Sequence, residues 1–164
     1  MCDPGVDGTV SCPCQNDPSS LGRGCDNSSA TGGAFISASG LAHLASDSLV
    51  FRTIGERPNA LSVVMQGNGM IEGGHTYGQG VRCVGGTIIR RLFTKHAIGG
   101  TISAPDVVGG DPKVSARSAA KGDPISAGES RYYLVFYRDP IVLGGCPASS
   151  TFNCTQTGMV TWSP

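Results

Sequence analysis

Arg131-Tyr132-Tyr133-Leu134-Val135-Phe136-Tyr137-Arg138 decides the fold. Everything between the two arginines is aromatic, leucine or valine, which suits a pleated, packed surface. Polar residues do not alternate with apolar ones, so both faces are expected to be buried and the strand to lie inside a sheet. Asp139-Pro140 ends the run, because Pro cannot donate to a central ladder. Working outward, shorter runs of the same kind occur at Ala34–Ser39, Ser48–Ile54, Leu61–Gln66, Val81–Val84, Thr87–Lys95, Thr101–Ala104 and Met159–Ser163. Glycine clusters (Gly67-Asn68-Gly69, Gly73-Gly74, Gly85-Gly86, Gly99-Gly100, Gly109-Gly110, Gly144-Gly145) read as hairpin turns and bulges, since none opens a helix that could hold a phosphate. No helical periodicity lasts for about 11 residues; Leu41–Leu49 comes nearest. The pattern predicts an all-β fold, a β-sandwich or jelly roll over residues 34–164.

Composition narrows the function classes. The chain has 164 residues, enough for one domain with its own core. Lys+Arg and Asp+Glu each total 12, so no basic excess points to nucleic acid or an anionic membrane. Charged residues make up 15 %, against about 25 % in an average soluble domain. Gly, Ser, Thr and Ala take their place, as in extracellular β-modules and fibrous surface proteins. No stretch approaches the ~18–20 apolar residues of a membrane span. No signal peptide is recognisable, so export would rely on a removed leader or an upstream domain.

Residues 1–33 have no hydrophobic run. Asp3-Pro4-Gly5, Asp7-Gly8, Asn16-Asp17-Pro18 and Gly32-Gly33 are successive turn signals. Four of the seven cysteines fall here, Cys2, Cys12, Cys14 and Cys25, with Cys83, Cys146 and Cys154 further along. A segment without a core needs covalent ties, and disulfides imply an oxidising, extracellular or cell-surface location.

Three stretches together carry a resemblance: Cys12-Pro13-Cys14-Gln15-Asn16 with Gly22-Arg23-Gly24-Cys25-Asp26-Asn27-Ser28, then Gly78–Gly86, then Arg131–Pro140. In this order they resemble a cysteine-containing all-β module at the C-terminal end of large secreted bacterial proteins of the planctomycete type. The similarity runs over essentially the whole chain. It implies an extracellular β-rich appendage of no assigned activity, with cysteines matching Cys2, Cys12, Cys14, Cys25, Cys83 and Cys146. Cys154 departs from that pattern, and the resemblance supplies no catalytic residue.

Direct bridging of Cys12 to Cys14 would be strained, so each is expected to pair elsewhere, with Cys2 and Cys25 as nearest partners. Cys83 with Cys146 would then join two distant strands. The rival is a metal site on Cys12, Cys14 and Cys25, but zinc sites space their cysteines differently and the histidines are remote. Cys154 is left over, as a free thiol or an intermolecular bridge. Asp3, Asp7, Asn16, Asp17, Asp26 and Asn27 could ligate a structural calcium, although no calcium loop is spelled out and turn chemistry is the simpler use.

His43, His75 and His96 match no triad or metalloprotease motif. Glu56, Glu72 and Glu129 sit in turn-like settings, so no catalytic pair is expected. The echoes Gly110-Asp111-Pro112 and Gly122-Asp123-Pro124 read as two similar turns. Tyr77 and Trp162 are the ligand-platform candidates, Trp162 with burial as its alternative. Asn27-Ser28-Ser29 and Asn153-Cys154-Thr155 spell glycosylation sequons. The expected function is a non-catalytic extracellular structural module, a surface appendage or self-associating fibre or coat subunit. As a homo-oligomer it would associate through strand edges, with the N-terminal segment as one strand donor. The alternative is a glycan- or cell-wall-binding module.

Overall fold

A computed structural model describes residues 2–164. Its centre is β6 (Ser130–Arg138), with β3 (Leu61–Tyr77) on one side and β7 (Phe152–Cys154) and β8 (Gly158–Thr161) in succession on the other. Both faces of β6 are packed, as the sequence predicts: Tyr133, Val135 and Tyr137 face the main core, and Leu134 joins Met65, Val84 and Cys154 in a second one. The larger sheet runs β4-β3-β6-β7, with β4 spanning Gly80–His96 and β8 also on β6. A smaller sheet of β1 (Phe35–Ser39), β2 (Val50–Ile54) and β5 (Ser103–Ala104) closes the main core with Ile36, Phe51 and Ala104. All named pairings are antiparallel. The chain is therefore all-β with a disulfide-tied segment.

The runs Val81–Val84 and Thr87–Lys95 are one strand, β4, and Leu61–Gln66 is the first part of a longer β3. Gly85-Gly86 falls inside β4 at a register shift opposite Gly67 and Gly69. A side chain on Gly69 would meet Gly86 Cα at 2.9 Å, so the two backbones approach where only glycine fits. These irregularities let the far half of the β3–β4 hairpin curl over β6. Its tip returns to β7, where the Gln79 N–H donates to the Phe152 carbonyl at 2.8 Å.

One helix departs from the expectation of none, α1 (Val114–Ala120). It falls between the two Gly-Asp-Pro echoes, and Leu41–Leu49 is not helical. Asp47, in that latter stretch, accepts the Ser115 N–H and hydroxyl, each at 2.8 Å, and so caps α1 from outside. The echo aspartates pin the helix ends to strands: Asp111 pairs with Lys95 at 2.5 Å and Asp123 with Arg131 at 2.9 Å.

Candidate functional site

The N-terminal segment is bonded along its length to its own chain. Cys12–Cys25 closes it internally, Cys2–Cys83 ties it to β4, and Cys14–Cys146 ties it to the loop after β6. This corrects the expected Cys83–Cys146 bridge and the pairing of Cys2 within the segment. The segment lies over the hairpin, packing Cys12 and Cys25 on Val81, which sets it beside β4 and Cys83. It also removes the segment as a free strand donor. Cys154 is unbridged and fully buried, which leaves the free thiol and discards the intermolecular bridge.

The Asx residues of the segment bind amides. Asp26 Oδ1 accepts the N–H groups of Asn27, Gly32 and Gly33 at 2.8, 2.8 and 3.1 Å. Asn16 donates to the Asp26 and Gln79 carbonyls at 2.6 and 2.9 Å. Asn27 donates to Gly55 O at 2.8 Å and the Tyr137 hydroxyl at 3.1 Å. Asp3 accepts the Gly22 N–H at 3.0 Å, and Asp7 and Asp17 are exposed. Asn27 and Asn153, the two sequon asparagines, are both buried, so the folded chain offers neither to a transferase.

The three histidines are apart: His43 beside Ser163, His75 on β3 and His96 at the end of β4. Among the described residues none forms an ion pair with a carboxylate. Glu56 is fully buried, with the Thr53 and Ser62 hydroxyls donating to its carboxylate. Burial pushes its pKa above the ordinary value, and the two hydroxyls oppose that rise. Glu72 lies on β3, not in a turn. Glu129 is drawn to Arg131 at 3.0 Å.

Trp162 is a core residue, not a platform; its indole N–H donates to the Tyr133 hydroxyl at 3.3 Å. Tyr77 is half-buried at the hairpin tip. Phe136 and Phe152 stand edge-on to its ring at 5.9 and 4.8 Å, and the Arg82 guanidinium lies 4.8 Å from its centre.

The second feature of interest was not visible in the sequence. β7 and β8 are nearly one strand along β6, interrupted at Thr155–Thr157. There Gln156 sends its buried side chain across to β1, accepting the Ile36 N–H at 3.0 Å and donating to the Ile36 carbonyl at 2.8 Å. Further on, Ser163 pairs with Ala42 and Leu44 through backbone bonds of 2.9 and 3.0 Å, in parallel. β1 and β8 are thus joined at two points and stand apart between them. The gap is a cleft of about 230 Å³ floored by Phe51 and Tyr133, whose rings lie 4.5 Å apart and tilted by 38°. Ser37 and Ala38 form one wall, and Gly158 to Val160 the other.

Backbone direction alternates along a strand. Ile36 turns both its groups away from β2, so Ala38 does too, and nothing bonds them. Across the cleft, Trp162 directs its backbone to the β6 side, so Met159 and Thr161 present theirs to the gap. Comparison with protein-family models, with curated proteins and with solved structures found no match.

Proposed function

We propose that this is a non-catalytic extracellular structural module, and that a second copy associates with it by laying an extended segment into the β1–β8 cleft. One observation carries the reading: unpaired backbone groups on both walls of an apolar slot, at Ala38 and at Met159, with those of Thr161 just beyond its lining. An added strand would satisfy those groups and cover the exposed Met159 side chain in one step. Zero net charge leaves no long-range repulsion between copies. Three disulfides fit an oxidising compartment, and no helix among the described residues is long and apolar enough to cross a membrane.

The test is native mass by light scattering across a concentration series. Wild type should form species above 16.8 kDa as concentration rises. Ala38→Pro should remain monomeric, since it removes the free N–H at an edge position that tolerates proline. Met159→Lys, which puts a charge at the opposite wall, should do the same. A wild-type monomer at all concentrations would overturn the reading, as would association that ignores both variants. Reductant should not act by cutting bridges between chains, because all three bridges lie within one.

A further inference from the structure

Among the described residues, Arg131 is paired with Asp123 and Glu129, Lys95 with Asp111, and Arg57 with Asp139. The inner face of the curled hairpin is different. Arg82 lies 4.8 Å from the centre of Tyr77, and Arg91 lies 5.4 Å from the centre of Phe136, two rings that meet at 5.9 Å. His75 stands opposite Arg82 in the strand register and edge-on to Tyr77 at 6.5 Å. Neither arginine has a carboxylate in ion-pair range among the described residues. The Arg82 Nε is buried without a hydrogen-bond partner.

We propose that this face binds an acidic polysaccharide, with Arg82 and Arg91 holding its carboxylate or sulfate groups. Two guanidiniums braced on aromatic rings are already ordered, so little side-chain freedom is lost when an oxyanion arrives. The planar fork then offers paired N–H donors, the geometry that carboxylate and sulfate accept. Cross-strand His75 and the ring edges of Tyr77 and Phe152 supply the apolar and polar surface that a sugar ring rests on. A nucleic acid fits poorly, because its dense phosphates need a larger basic surface than two arginines on a chain of zero net charge.

Affinity electrophoresis of the whole chain tests this directly, with polygalacturonate, dextran sulfate, neutral dextran or oligothymidylate in the gel. Either acidic polysaccharide should retard wild type, and the stronger of the two identifies the anion. Arg91→Gln, at an exposed position that leaves the core intact, should weaken the interaction about tenfold. Arg82→Lys should weaken it comparably while keeping the charge, because the fork is lost. Arg52→Gln, on the smaller sheet, should leave it unchanged. The proposal is overturned by retardation equal in neutral dextran, by stronger retardation in oligothymidylate, by no retardation in either acidic polymer, or by an equal loss in Arg52→Gln.

Discussion

The side-chain amide of Gln156 holds the backbone of Ile36 as a neighbouring strand would, accepting its N–H at 3.0 Å and donating to its carbonyl at 2.8 Å. A single glutamine therefore covers the edge of β1 at Ile36, and Gly24 covers Ala34, whose carbonyl takes its N–H at 2.8 Å. The uncovered edge begins at Ala38. A short open edge of this kind restricts pairing to one register, where a long one would invite indiscriminate aggregation.

Gln156→Ala should expose that edge further. It strands the buried Ile36 N–H and carbonyl, at a cost of about 1–3 kcal/mol, and lengthens the free edge by two residues. Urea denaturation of dilute protein should show the loss, and sedimentation of concentrated protein should show stronger association. Lower stability with unchanged association would mean that Gln156 braces the core without guarding the edge.

Asp123 and Arg131 form the most consequential ion pair. Two guanidinium nitrogens meet the two carboxylate oxygens at 2.9 and 3.2 Å, both residues are buried, and Gln66 donates to the same carboxylate at 2.6 Å. Asp123→Asn leaves Arg131 in the interior with only the more exposed Glu129 as counter-charge and should cost about 1.5–3 kcal/mol. Asp123→Asn with Arg131→Met should recover part of that loss. Denaturant midpoints of the three proteins decide it, and a single-variant loss below about 1 kcal/mol would class the pair with ordinary surface bridges.

The Cys154 thiol should be inert in the folded chain. It is fully buried, donates to the Val81 carbonyl at 3.3 Å, and burial pushes its pKa up to about 12. A thiol-reactive chromophore should find none in native protein, one after denaturation without reductant, and all seven cysteines after reduction. Rapid native reaction, or three thiols before reduction, would contradict the three bridges or the burial.

Glu56 should set a pH dependence of stability. Burial raises its pKa above 4.5 in the folded chain, so the folded state holds the proton more tightly than the unfolded one. The resulting stabilisation is complete below the unfolded pKa and is lost as pH rises through the folded pKa. Glu56→Gln lacks that loss, so its stability should gain on wild type as pH rises above 4.5. Urea midpoints across that range test this, and parallel profiles would refute it.

Much of the fold is legible in short-range pattern. Tyr132 to Tyr137 reads as an interior strand because a two-faced apolar run has nowhere else to go, and the cysteine-rich segment reads as covalently tied because it has no core. What stays hidden is long-range. The partners of Cys2 and Cys14 depend on how the hairpin curls, and spacing along the chain does not encode that. Helix α1 is too short to show a period, with only Val114 and Ser118 buried. Gln79 and Gln156 pass in the sequence as ordinary polar residues, yet both are buried and bind backbone across the fold. Tyr77 stands out in the sequence as an aromatic outside the central strand, but Arg82 and Arg91 give no signal, since the ring contacts that order them are tertiary.

Amide hydrogen exchange of dilute and concentrated protein, read at Ala38, tests the strand-addition account most directly. The free Ala38 N–H should exchange at the rate of an open edge in dilute solution and become protected as concentration rises, with Met159 and Thr161 protected alongside it. Exchange at Ala38 that stays fast while the protein associates, or while other edges gain protection, would contradict the account.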